Sequence, residues 1–287
     1  MKILVALLVL SLLGNILGAY VLYKFMQKDK LVQELTNRLE QKDRVLDTVN
    51  RQLGRRLVFL HHSVGRNWLS EGGLKDSLIA RGVAVRSITY GTPIGEDTDL
   101  NHWVPKFESH LDQILRFDDP SGALLPDSLE NDIIMFKSCY PNSDIIAVGE
   151  GDGDPLAAER TLANYRAVMA RLEPQIALHP DKQFIYVTAP PLTAERTTAE
   201  NAARARQFNQ WMTGEFTRLY REHTGLNNFF VFDLFDVLAD PESNTLRQEF
   251  QRRANDSHPN PKGSQAATRA FLKFLDEDKI GLEELVS

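Results

Sequence analysis

One cysteine, Cys139, is all the chain contains, so no internal disulfide can form and no cysteine-rich zinc cluster is available. A lone cysteine says nothing of the redox compartment, because exported domains can also do without disulfides. Basic charge is scarce as well. The 33 Lys and Arg stand against 39 Asp and Glu, for a formal net charge of −6, and no basic stripe runs through the body of the chain. The electrostatic footprint of a nucleic-acid binder is therefore missing. No internal repeat and no low-complexity tract interrupts the sequence. What remains is globular composition, 43% hydrophobic and 25% charged, which argues against disorder for the bulk of the 287 residues.

Charge is missing altogether from residues 3–23, a run dominated by Leu, Val and Ile. Its length meets the roughly 20 residues a membrane-spanning helix needs. A cleaved signal peptide is the competing reading, with Lys2 as its charged start and Gly18-Ala19 as a small-residue site. Leu17 at the would-be −3 position is a poor cleavage signal, and the run exceeds the usual signal core of about 7–15 residues, so an uncleaved anchor over residues 1–28 is expected. Lys24, Lys28 and Lys30 follow the span, which by the positive-inside rule would keep the body cytoplasmic. A very short N-terminus before a signal-anchor argues the reverse, and a single-pass protein with an extracytoplasmic body in the bacterial envelope is the expectation adopted.

Residues 29–54 carry a seven-residue repeat, Val32, Leu39, Leu46 and Leu53, with Leu35 and Val49 between them and Lys42 breaking one core position. This is a short coiled-coil pattern. It predicts a helical stalk, either alone or pairing two copies into a homodimer, about 35–40 Å long at ~1.5 Å per residue.

From Leu57 the pattern changes. Short apolar runs at 57–60, 84–90, 132–136, 184–187 and 229–232 read as buried strands, and helical stretches are expected at 71–81, 155–178, 199–223 and 262–276. Strand–helix alternation of this kind predicts a three-layer α/β/α domain over residues 55–287, with a parallel, flavodoxin-like sheet.

Ligands of such sheets bind beyond the carboxyl ends of the strands. The residues that follow each strand are His61-His62-Ser63-Val64-Gly65, then Gly91, then Lys137-Ser138-Cys139-Tyr140-Pro141-Asn142-Ser143, then Thr188-Ala189-Pro190-Pro191. Last, ahead of the final helix, comes Asn255-Asp256-Ser257-His258-Pro259-Asn260. This order resembles the SGNH (GDSL-like) hydrolase family over essentially residues 57–276, and the strings His-His-Ser-Val-Gly, Phe-Lys-Ser-Cys-Tyr-Pro-Asn-Ser and Asp-Ser-His-Pro-Asn look like a bacterial branch of it. The resemblance implies Ser63 as nucleophile, His258 as base and Asp256 as its acid. It implies Gly91 and Asn142, with the Ser63 N–H, as oxyanion donors, and no cofactor. The implied reaction is hydrolysis or transfer of an acyl group through a Ser63 ester; the expected envelope location, not the site, suggests an acylated glycan or lipid as substrate.

Two departures stand out. The family's glycine-aspartate-serine is here His61-His62-Ser63. Its final motif puts the acid three residues before the histidine, where this chain has Asn255, while Asp256 lies two before. So Asp256 reaches the imidazole through a shifted loop, or Asn255 orients it, or His258 works in a dyad. Cys139 also lies nearer the family's asparagine slot than Asn142, which then needs a longer loop.

Other residues admit a bland reading beside the functional one. His61 and His62, with Asp256 and His258, suggest a metal-dependent hydrolase, although neighbours on a strand point to opposite faces. Asp97, Asp99, His102 and Trp103 contact substrate or merely cap a loop. Lys137, at the end of a buried strand, pairs with an acid near the site or emerges into solvent. Cys139 reads as a small core residue, and Phe208, Trp211, Met212 and Phe216 as helix core. Glu150 to Asp154 lacks the spacing of a calcium loop. A catalytically silent SGNH-like module that binds a glycan or a protein is the rival from another class, kept open by Asn255.

Overall fold

The computed structural model describes residues 54–278 and Ile280, with Lys28, Lys30, Val32–Glu34 and Arg38 before them. The chain divides into two compact units, Met1–Gln52 and Leu53–Ser287. In the first, the described residues are helical, and Arg38 pairs with Glu34 one turn away at 2.8 Å. The apolar run at 3–23 and most of the heptad positions lie outside the described residues. Among those described, no helix is long and apolar enough to cross a membrane.

The second unit is built on five parallel strands, β1 (Arg55–Leu60), β2 (Val83–Ile88), β3 (Ile133–Lys137), β4 (Gln183–Val187) and β5 (Phe229–Phe232), in the order β2-β1-β3-β4-β5. This is the flavodoxin-like order, and every strand falls on an apolar run of the sequence. Alternate residues of each strand serve opposite faces. Val58, Leu60, Ile134, Phe136, Phe184, Tyr186, Phe229 and Val231 face one layer, made of α3 (Trp103–Leu115), α4 (Leu162–Ala177), α5 (Ala199–Trp211) and α6 (Thr217–Thr224). Leu57, Phe59, Ile133, Met135, Ile185, Val187, Phe230 and Phe232 face the other, made of α1 (Ser63–Ser70), α2 (Leu74–Ile79), α7 (Leu234–Leu238) and α8 (Pro261–Glu277). Two faces covered by helices explain why the strands are apolar throughout rather than alternating.

Helix boundaries depart from the sequence reading where side-chain caps and glycines intervene. Of the helix expected at 71–81 only 74–79 is helical, as α2; α1, at 63–70, was not expected, and Gly72-Gly73 separates the two, with Gly73 in the left-handed region at φ +68°. α4 starts at Leu162 because the Thr161 hydroxyl accepts the Asn164 N–H; the acidic, glycine-rich stretch before it is loop. α5 and α6 are continuous through one wide turn at Met212–Phe216. α3 was hidden by the polar residues around it. A two-stranded hairpin, β6 (Gln251–Arg253) and β7 (Asp256–Pro259), carries the last motif.

Candidate active site

The order reversal between β2 and β3, on either side of β1, opens a crevice at the strand ends, the usual ligand position in such sheets. Ser63 is the first residue of α1 and follows β1 by two residues. Its placement depends on Gly65: a Cβ there would lie 2.4 Å from the Cβ and Cγ of His61. Glycine thus lets the first turn of α1 sit directly on the histidine that continues β1. Trp68, one turn further, packs edge-on to Phe271 of α8 and donates from its indole N–H to Thr268 at 3.0 Å. The helix carrying Ser63 is thereby clamped to the helix that follows His258.

His258 Nε2 lies 2.8 Å from Ser63 Oγ, and its Nδ1 lies 2.6 Å from Asp256 Oδ1. An ionised carboxylate only accepts hydrogen bonds, so Nδ1 carries the hydrogen and Nε2 turns its lone pair to the serine hydroxyl. Asp256 Oδ1 also accepts the His258 backbone N–H at 3.0 Å. Burial works to raise the Asp256 pKa, but the His258 N–H, its ring and the charge of Arg252 outweigh it and hold the carboxyl below its ordinary range. The physical reason for the pairing is strand geometry. Asp256 and His258 are two apart on β7 and so share one face. Ser257, between them, points the other way, is buried, and accepts the Thr193 N–H at 3.1 Å. Asn255 sits exposed in the turn between β6 and β7.

The two residues expected to complete an oxyanion hole have their donors engaged. The Gly91 N–H, at φ +79°, donates to Glu96 Oε1 at 2.9 Å. The Asn142 amide donates to Asp99 Oδ1 at 2.8 Å and to the Cys139 carbonyl at 3.2 Å, while its oxygen accepts the Leu100 N–H. The Ser63 N–H, in the first turn of α1, is the remaining donor beside the hydroxyl.

His61 and His62 are built into the frame. The His61 Nδ1–H donates to the His62 carbonyl at 2.8 Å and its Nε2 meets the Ser87 hydroxyl at 2.6 Å. Burial depresses its pKa to about 3, so the ring is neutral. The His62 Nε2–H donates to the Gly95 carbonyl at 2.8 Å and its Nδ1 meets the Thr98 hydroxyl at 3.0 Å; burial lowers its pKa too. All four ring nitrogens have protein partners, which leaves no lone pair for the metal-dependent alternative. Among the described residues no group of three or more His, Cys, Asp or Glu side chains is placed to hold a metal ion.

Lys137 neither pairs with an acid nor reaches solvent, the two outcomes expected of it. It is fully buried and donates to the Ser138 carbonyl at 2.8 Å. Asp97 is exposed, in the left-handed region at φ +58°, and lines a cleft of about 300 Å³ with Glu96 and Lys106. Asp99 and His102 cap each other across the first turn before α3, and Trp103 is core, its N–H on Ser138 Oγ. Tyr140, which sequence reasoning passed over, meets the His258 ring edge-on at 4.9 Å. Asn260 was also missed. Its oxygen caps α8 through Gly263 N–H, and its amide holds the Glu249 and Gln251 carbonyls of the hairpin. An asparagine before a proline-led helix is a readable capping signal.

No family model matches the chain, and no curated protein does. Among solved structures, it is similar to a GDSL-like lipase from Bacteroides thetaiotaomicron, at 11% identity and a TM-score of 0.46 over 80% of this chain and 95% of that one. It is also similar to a family two carbohydrate esterase from Clostridium thermocellum, at 10% identity and a TM-score of 0.45 over 80% and 66%.

Proposed function

We propose that this chain is an SGNH-type serine hydrolase that cleaves acyl esters. The observation that carries the reading is the chain of two hydrogen bonds from Asp256 through His258 to Ser63, 2.6 and 2.8 Å long. A serine hydroxyl is a weak nucleophile until an imidazole takes its proton. Ser63 Oγ bonds to the ester carbonyl carbon as its proton passes to His258 Nε2, and Asp256 stabilises the imidazolium. The carbon–oxygen bond to the alcohol then breaks and the alcohol leaves with that proton. Water repeats the sequence and frees the acid; an acceptor alcohol in its place makes the step a transfer. In this proposal the Ser63 N–H, at the positive end of α1, receives the developing oxyanion. Gly91 joins it once Glu96 releases its N–H; losing such a donor typically costs about 10²–10³ in turnover. Tethering to a membrane through residues 1–28, a pairing stalk and an extracytoplasmic body, with an acylated glycan or lipid as substrate, complete the proposal; these rest on the sequence.

The engaged Gly91 and Asn142 donors favour a second reading, a silent module that binds through the same crevice. Intact-mass analysis after treatment with a fluorophosphonate separates the two. One adduct on the wild type, absent from Ser63→Ala, is expected; a folded wild type without adduct supports the silent module.

A further inference from the structure

We propose that the exposed face of Tyr90 is a sugar-binding platform and that the scissile ester is carried on a pyranose ring, a refinement that rests on the esterase reading. Tyr90 is 49% exposed although it is a large aromatic beside the site. One face of its ring is covered by His62, stacked at 3.6 Å and 27°. His62 immediately precedes Ser63 and cannot turn away, since Gly95 and Thr98 hold both its nitrogens. The platform is therefore rigid, and the ring that backs it belongs to the residue next to Ser63. Glu96 is held beside Tyr90 by the N–H of the next residue, Gly91, at 2.9 Å. Arg66 is exposed one turn along α1 from Ser63, and Tyr140 leans on His258. Two phenols, a carboxylate and a guanidinium are thus carried by residues that adjoin or touch Ser63, His258 and Gly91.

This chemistry suits a ring with an apolar C–H face and an equatorial belt of hydroxyls. The face packs on the phenol, and the planar carboxylate and guanidinium take the hydroxyls in pairs. A long acyl chain would call for apolar walls in place of these groups. Glu96 also borders the cleft of about 300 Å³ between the 93–97 loop and α3, so a second sugar residue has room beyond the first.

The test uses the full chain with two acetate esters, a methyl glucoside acetylated at a single hydroxyl and 4-nitrophenyl acetate, and a 4-nitrophenyl ester of longer acyl length. In Tyr90→Ala the ratio of kcat/KM for the sugar ester to that for the aryl acetate is expected to fall about tenfold. Tyr90→Phe, which keeps the flat face, is expected to restore it. Tyr90→Leu preserves bulk against His62 without a flat face and is expected to behave as the alanine; it serves if the alanine variant is unstable. An unchanged ratio overturns the proposal, as does a loss that grows with acyl length, which would make Tyr90 an acyl-slot residue. Saturation-transfer NMR of the acetylated glucoside on Ser63→Ala keeps the two readings apart. Tyr90-dependent binding without turnover by the wild type sinks the esterase and retains the sugar platform, whereas turnover of aryl ester without sugar binding does the reverse.

Discussion

At the scale of single residues, the fold spends stability on cations. Lys137 and Lys106 are both buried, and neither has a carboxylate at ion-pair distance among the described residues. Lys106 Nζ donates to the Ile94 and Glu96 carbonyls at 2.7 and 2.5 Å, stapling the 91–99 loop to α3. Burial, partly countered by Asp97 and Glu96, lowers its pKa to about 8. The sign of the consequence follows from proton counting. Between about pH 8 and 10.5 the unfolded chain holds the proton and the folded chain does not, so folding gains stability as pH rises through that window. Relative to Lys106→Met, the wild type is expected to gain on the order of 3 kcal/mol at most between pH 7.5 and 10.5. Urea midpoints at the two pH values measure this, and parallel curves for the two proteins would sink it. For Lys137 burial likewise lowers the pKa. Its partner, a neighbouring backbone carbonyl, could not be foreseen from a sequence in which it simply ends an apolar run.

At the scale of elements, the site turns on a strand. The acid-to-histidine spacing looked wrong for the family because three residues separate such a pair along a turn or helix, whereas two separate it along a strand. Once 256–259 is β7, Asp256 is the residue on the histidine's face and Asn255 is in the turn. Asp256→Asn is accordingly expected to lower turnover on the order of 10³–10⁴-fold, since the imidazole loses the partner that fixes its tautomer. Moving the acid back, with Asn255→Asp added to Asp256→Asn, is expected to give no recovery; rescue to within tenfold of wild type would mean the turn, and not the strand, presents the acid. The five sheet strands were legible because apolar runs bounded by polar punctuation leave little choice. β6 and β7 were not, because three- and four-residue strands bearing Arg252, Arg253, Asp256 and His258 have no apolar pattern to announce them. α1 was hidden in the same way by His62, Asn67 and the glycines, although it carries Ser63. The engaged Gly91 and Asn142 donors were also out of reach, since Glu96 and Asp99 come from a loop whose path no periodicity predicts.

At the scale of the whole molecule, the chain divides into two compact units between residues 52 and 53, and all of the candidate site belongs to the second. Removing residues 1–52 is therefore expected to leave the thermal midpoint of the body, and its Ser63 labelling, unchanged within about 2 °C. A broad or lowered transition would show that the first unit contributes to the stability of the second. Within the body, the hydrogen bond between Ser63 and His258 spans 195 positions of sequence, and the acid and the base arrive only with the final hairpin. A ribosome releasing this chain exposes the serine early and inert. Until nearly the last helix has docked, there is no imidazole beside it, so a truncated, nicked or half-folded copy carries the proposed nucleophile without its proposed base. On the proposed mechanism, topology alone then prevents acyl transfer to a wrong acceptor during synthesis, and labelling of Ser63 becomes a direct count of completed molecules.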